Sequence, residues 1–219
     1  MRPELRISED GSSTLYRADL DEHYHSFHGA IQESKHVFIE AGLKKVGSKS
    51  VLNILEIGFG TGLNALLTMI HQPDSLIHYH TLEKYPVPED LAAAINYPQL
   101  LGGDEVLRCF SAMHTSAWGT EVEILNHFFL TKFQVDLCDF NSKTKYDLVY
   151  FDAFAPDKQP ELWTDQIFKN IFAMMAKGGF LTTYSAKGSV RRAMQNAGFV
   201  VERIPGPPGK REMLRACRE

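Results

Sequence analysis

A seven-residue apolar run, Val51-Leu52-Asn53-Ile54-Leu55-Glu56-Ile57, leads into three closely spaced glycines, Gly58-Phe59-Gly60-Thr61-Gly62, and then into a second apolar stretch, Leu63–Ile70. The first run has the length and β-branched content of a strand covered on both faces. The second reads as a helix. Strand, glycine turn and helix in that order open a βαβ unit, and the alternation recurs downstream. Strands are predicted at 77–83, 146–152, 180–184, 199–204 and 213–217, and 122–130 and 133–137 read as a further pair. Helices are predicted at 88–95, within 96–118 and at 190–197. Another starts at Thr164, with Ile167, Phe168, Ile171, Phe172 and Met175 on one face and Gly178-Gly179 as its stop. Ahead of the alternation, 4–18 has the pattern of a hairpin turning at Asp10-Gly11-Ser12, and 29–41 that of a helix stopped by Gly42. The whole predicts an α/β fold around a mostly parallel sheet of seven strands, with a hairpin-plus-helix extension over 1–46 packed on a core of 47–219.

Sheets of this kind bind ligands beyond the carboxyl ends of their strands. The glycine turn sits at such an end, where the backbone must turn sharply and admit a ligand closely. Its Gly-x-Gly-x-Gly spacing is tighter than the Gly-x-Gly-x-x-Gly of dinucleotide sites. With Glu56 in front, it resembles the first motif of methyltransferases that use S-adenosylmethionine (SAM). That resemblance implies a Rossmann-like class I fold and assigns Glu56, Gly58, Gly60 and Gly62 to the cofactor. Glu83 ends the next predicted strand, where a carboxylate can accept two hydrogen bonds from ribose hydroxyls. Asp136 is the candidate beside the adenine amino group, with Asp139 competing for that place; a solvated turn is the plain alternative for either.

Asp152 follows the apolar run Tyr146-Asp147-Leu148-Val149-Tyr150-Phe151 and belongs at the sheet's carboxyl edge. A carboxylate there can hold an amine and take up its proton; the structural alternative is a turn cap. Phe154 and Pro156 would wall the transferred methyl, although core packing explains Phe154 equally well. Tyr184 ends a strand and reads either as a pocket residue or as a core tyrosine.

From Asp152 onward the chain resembles a particular family. Asp152-Ala153-Phe154-Ala155-Pro156 with Pro160-Glu161-Leu162-Trp163, then Thr183-Tyr184-Ser185-Ala186, Val190-Arg191-Arg192, Ala197-Gly198-Phe199 and Gly209-Lys210-Arg211-Glu212-Met213, are similar to blocks of the methyltransferase module of the bacterial tRNA-modifying protein MnmC and its stand-alone form MnmD. The resemblance covers most of 14–214. It implies SAM-dependent N-methylation of 5-aminomethyl-(2-thio)uridine at the tRNA wobble position. It places the segment carrying Tyr24 and Glu33 over the SAM pocket. It implies no metal, and, with no counterpart of the bifunctional protein's flavin oxidase in the sequence, no flavin; other enzymes would supply the aminomethyl substrate.

Charge distribution bears on the partner. Residues 177–219 carry nine Lys and Arg against three Asp and Glu, whereas the chain as a whole has 23 against 27. Lys187, Arg191, Arg192, Lys210 and Arg211 are the candidates for phosphate contacts to the anticodon region of a tRNA; a solvated surface is the plain alternative. His23, His25 and His28 lack the spacing of a helical metal pair. Three scattered cysteines, Cys109, Cys138 and Cys217, fit a reduced cytoplasm, and no apolar run has the length of a membrane span. The rival readings are an aminopropyltransferase of the spermidine-synthase kind, a small-molecule amine methyltransferase, and a non-catalytic RNA-binding module.

Overall fold

The computed structural model describes residues 2–47, 49–71 and 74–219, so Met1 of the expected extension lies outside the described residues. Glu4–Ile7 (β1), Ser13–Arg17 (β2) and Glu22–His23 (β3) form a three-stranded antiparallel sheet. The β1–β2 turn falls at the predicted place. Asp10 Oδ1 accepts the Ser12 N–H at 3.0 Å, and Gly11 takes a φ of 81°.

A continuous helix follows as Ala30–Ser34 (α1), a π-helical stretch Lys35–Leu43, and Lys44–Val46 (α2). It passes through Gly42, the predicted stop, and ends at Gly47 with φ 74°. Gly42 serves packing instead. A Cβ there would stand 3.1 Å from the Tyr150 ring and 3.2 Å from Thr182 Oγ1, so glycine lets the helix approach the sheet.

The remaining elements are Val51–Ile57 (β4), Leu63–Ile70 (α3), Leu76–Leu82 (β5), Glu89–Ala93 (α4), Tyr97–Leu101 (α5), Gly103–Thr115 (α6), Glu121–Leu125 (β6), Phe128–Phe133 (β7), Tyr146–Phe151 (β8), Asp165–Met174 (α7), Met175–Thr183 (β9), Gly188–Asn196 (α8), Val200–Pro205 (β10) and Glu212–Cys217 (β11). The main sheet runs β10-β11-β9-β8-β4-β5-β7-β6. Strands β9, β8, β4, β5 and β7 are parallel; β10, β11 and β6 pair antiparallel. The sheet thus has eight strands, one more than predicted.

Two local departures have clear causes. The predicted strand 122–130 is broken by a hairpin turn in which His127 takes φ 66°, giving β6 and β7. The predicted strand 133–137 does not form beyond Phe133, the last residue of β7, because the Asp136 side chain accepts from Cys138 N and caps the short 3₁₀ turn Leu137–Asp139. Helix α7 stops at Met174, before the glycine pair. Gly178, at φ 77°, instead lies in β9 where its register against β8 jumps from Met175 to Phe180. A glycine pair marks a helix stop or a strand bulge with the same letters.

Apolar side chains fill both faces of the sheet. One cluster joins Val37, Phe38, Leu66 and Met113 to Ile54, Tyr79 and Tyr150; the other joins Phe168, Ile171, Val190 and Met194 to Leu55, Val149 and Leu181. Strand β8 is buried along its whole length. The chain leaves β4 for β5 on one side and returns to β8 on the other. This reversal opens a crevice beyond the carboxyl end of β4.

Candidate active site

The crevice is a cavity of about 570 Å³, a volume within the range of small-molecule sites. The glycine turn forms its floor. Gly58 N and Phe59 N both donate to Leu82 O, at 3.0 and 3.1 Å, and Asp152 N donates to Ile57 O at 3.0 Å. These bonds tie together the ends of β4, β5 and β8. Gly58 has φ 90°, and a Cβ would lie 2.7 Å from Asp152 O; Gly60 has φ 50°, with a Cβ 3.0 Å from the Tyr24 ring. Side chains at either place would occupy the floor of the cavity.

Glu83 continues from β5 into the cavity. Its carboxyl accepts from Gly60 N at 3.0 Å and Tyr85 N at 2.8 Å. Burial pushes its pKa up, opposed by these N–H groups. A carboxylate has about four lone-pair sites, so after its backbone N–H partners Glu83 keeps capacity to accept from a ligand hydroxyl. The floor and this acid together fit a ribose with a small polar chain. Asp136 also lines the cavity and holds Lys84 Nζ at 2.7 Å; Asp139 is exposed and does not line it.

Asp152 enters from the end of β8. Asn64 Nδ2, in the first turn of α3, donates to its Oδ2 at 2.8 Å. Burial pushes the Asp152 carboxyl up to about 7; Asn64 and Lys210 oppose the rise and Glu33 adds to it. Around it stand Tyr24, Phe154 and Tyr184. The Tyr24 and Phe154 rings meet edge to face at 5.1 Å. The Tyr184 hydroxyl donates to Ala153 O at 2.8 Å, and Trp163 Nε1 donates to Phe154 O at 2.9 Å, which holds the Phe154 loop in place. Lys210 Nζ lies 4.2 Å above the Tyr184 ring and 2.7 Å from Glu33 Oε1, while Glu33 Oε2 accepts from Ser26 N at 2.7 Å. The N-terminal segment and the loop before β11 therefore share a wall.

Of the residues singled out from sequence, Asp152, Glu33, Gly58, Gly60, Glu83, Asp136, Tyr24, Phe154, Tyr184 and Lys210 line this cavity. Others do not. Glu56 is 0% exposed, its side chain turned into the interior toward Thr81, whose hydroxyl donates to Oε2 at 2.6 Å. Gly62 caps α3 at φ 76° beneath the loop, against His114. Pro156 sits just past the cavity wall, and Lys187 is paired with Asp157. Arg191 and Arg192 lie on α8, and Arg211 is exposed in the loop before β11. Of the three histidines, His23 and His25 do line the cavity, His25 buried with Nε2 2.7 Å from Thr61 Oγ1, whereas His28 does not and its Nδ1 meets Glu9 at 2.9 Å.

Sequence reasoning missed Asn64 and Arg17. Asn64 had a signal, a polar residue inside the apolar run Leu63-Asn64-Ala65-Leu66-Leu67, at the first turn after the glycines. Arg17 lines the cavity and bonds Asp19 through Nε at 2.7 Å, an arrangement that no motif announced.

Residues 118–219 match a family model described as S-adenosyl-L-methionine-dependent methyltransferase. The matched part contains Asp152, Tyr184 and Lys210. Curated proteins extend the likeness across the glycine turn. The tRNA 5-methylaminomethyl-2-thiouridine biosynthesis bifunctional protein MnmC of Campylobacter hominis is 28% identical over 210 residues, covering 92% of this chain and 31% of that protein. Its counterpart in Ectopseudomonas mendocina is 33% identical over 208 residues, covering 87% and 31%. Among solved structures, MNMC2 from Aquifex aeolicus aligns with a TM-score of 0.79 at 27% identity, over 99% of this chain and 70% of that chain. The chain is similar in sequence and fold to part of MnmC. It spans about a third of the length of the curated MnmC proteins it matches. SAM-bound CalS10, an amino pentose methyltransferase from Micromonospora echinaspora, shares the fold at a TM-score of 0.50 and 11% identity. The fold is the class I fold of SAM-dependent methyltransferases. Among the described residues no helix is long and apolar enough to cross a membrane.

Proposed function

We propose that the chain methylates the primary amine of 5-aminomethyl-(2-thio)uridine at the wobble position of tRNA, with SAM as methyl donor. The observation that carries this reading is that the glycine floor, Glu83 and Asp152 open onto one cavity. Gly58 and Gly60 would admit the amino-acid part and ribose of SAM, Glu83 the ribose hydroxyls, and Asp136 the adenine amino group. Bound there, SAM supplies a methyl group on a positively charged sulfur.

The acceptor amine arrives mostly protonated, since free alkyl amines have a pKa near ~10. Desolvation in the cavity and the nearby sulfonium favour the neutral amine. Asp152 holds the amine by hydrogen bonding and receives the proton that leaves it. The nitrogen lone pair then forms the N–C bond while the C–S electron pair stays on sulfur. With so good a leaving group, alignment supplies most of the catalysis, of the order of ~7–11 kcal/mol. Tyr24, Phe154 and Tyr184 keep water from the reacting atoms.

Among the carboxyls lining the cavity, Glu33 is paired with Lys210 and Asp136 with Lys84, and Glu22, Glu83 and Glu161 line it as well. Asp152 is the one held by Asn64 at the end of β8, where it suits the acceptor amine. The basic residues Lys187, Arg191, Arg192 and Arg211 lie outside the cavity, where they suit the phosphates flanking a base turned into it.

The test is labelled SAM with bulk tRNA from cells unable to methylate the aminomethyl group, followed by nucleoside analysis. Label is expected in 5-methylaminomethyl-(2-thio)uridine. Asp152→Ala is expected to lower kcat by roughly 10²-fold or more with SAM affinity kept. Label in a polyamine instead of tRNA, or full turnover by the variant, would overturn the reading.

A further inference from the structure

Glu56 stands behind the glycine floor, out of reach of the cavity, and its surroundings are unusual for a carboxyl. Oε2 is satisfied by Thr81. Oε1 makes no hydrogen bond, and neither do two neighbouring buried oxygens, the Tyr79 hydroxyl and Asn64 Oδ1. Both Asn64 and Tyr79 nevertheless stand close enough to lower the Glu56 pKa. Asn64 thus lies between two carboxyls, giving its Nδ2 to Asp152 at 2.8 Å and leaving its Oδ1 without a donor.

Proton bookkeeping decides the state of Glu56. An ionised Glu56 has no proton to offer. Thr81 and Tyr79 would then both donate to it, and Asn64 Oδ1 would stay unpaired beside two negative charges. A buried acceptor left in that state costs about 1–3 kcal/mol. A neutral carboxylic acid supplies the missing donor. Electrostatics agree. Burial, with repulsion from Asp152, pushes the Glu56 carboxyl up to about 8. The groups facing it are Tyr79 and Thr81 from β5, Tyr150 from β8, Asn64 from α3, and Asp152. None is a cation; Lys210 and Glu33 act beyond, on Asp152.

We infer that Glu56 is held as a neutral carboxylic acid whose proton fixes the Asn64 amide, and through it the Asp152 carboxylate. Glu56 is thereby a positioning residue for the transfer and makes no contact with SAM. The inference rests on the methyl-transfer reading for its kinetic consequence, but the protonation state is readable without any substrate.

Three variants test it. Glu56→Gln keeps the shape and a donor, Glu56→Leu removes both, and Asn64→Leu cuts the chain at its middle. The infrared difference between wild type and Glu56→Gln at pH 7 is expected to show the carbonyl stretch of a neutral carboxylic acid. Carboxylate bands alone would overturn the inference. In turnover, Glu56→Gln is expected within about threefold of wild type, and Glu56→Leu and Asn64→Leu each to lose about tenfold or more in kcat with SAM affinity unchanged. The double variant should be no worse than the poorer single, because residues acting as a unit are not additive. Equal losses in Glu56→Gln and Glu56→Leu, or a loss confined to SAM affinity, would overturn it. Should Glu56→Leu fail to fold, the infrared reading and Glu56→Gln decide. Wild-type protein inactive on aminomethyluridine tRNA would sink the functional reading while leaving the infrared result to stand.

Discussion

Gly60 shows how little room the cavity floor leaves. Its φ of 50° already strains any residue with a Cβ, and that Cβ would press on Tyr24 from 3.0 Å. Gly60→Val is expected to weaken SAM binding by at least tenfold, of the order of 1.4 kcal/mol, checked by calorimetry; unchanged affinity would remove the glycine floor from the site. Residues such as Gly60, Glu83 and Asp152 were legible in the sequence because each follows a strand, and the carboxyl ends of parallel strands converge. The meaning of Glu56 was not. Its place in the motif suggested a ligand contact, but the strand's alternation turns that side chain inward, onto Thr81. Asn64 was unread for a related reason. Its partner Asp152 is 88 positions away, and no local pattern joins them.

At the scale of elements, the helix running over 30–46 is set against the sheet by Gly42. Gly42→Val would force a side chain onto Tyr150 and Thr182. Overpacking of this kind costs about 1–3 kcal/mol. In a chain of this length that lowers Tm by roughly 2–4 °C per kcal/mol. Thermal unfolding followed by circular dichroism measures it, and an unchanged Tm would show that the helix can retreat freely. Apolar runs announced β4, β8 and the central parallel strands. They were silent on the hairpin at His127 and on the bulge at Gly178-Gly179, since a strand break and a strand end leave similar letters. The register against neighbouring strands, which settles both, is a tertiary property.

At the scale of the molecule, stability should depend on pH through the buried carboxyls. Glu56 is raised to about 8 from an ordinary 4.5, so between those values the folded state holds a proton the unfolded chain has lost. Stability is then full below the unfolded value and falls as pH rises through the window. His25, lowered by burial to about 4, acts in the opposite sense below its ordinary 6.5, so the carboxyl effect is cleanest above that. Tm is expected to fall between about pH 6.5 and 8 in wild type and to fall less in Glu56→Gln; parallel curves would place the proton elsewhere. Charge reversal on α8, with Arg191 and Arg192 both changed to Glu, is expected to weaken tRNA binding and flatten its dependence on salt while SAM affinity stays. A filter-binding series against ionic strength checks it, and equal retention of tRNA would move the RNA face to another surface.

The Lys210–Glu33 pair joins positions 177 apart in the chain. A ribosome making this protein therefore lays down the glycine floor and Asp152 long before it delivers the far wall. Until Lys210 has emerged from the exit tunnel, Glu33 faces the half-built crevice without its counterion. The nascent chain is expected to hold no methyl donor until the segment carrying Lys210 has emerged and folded against Glu33.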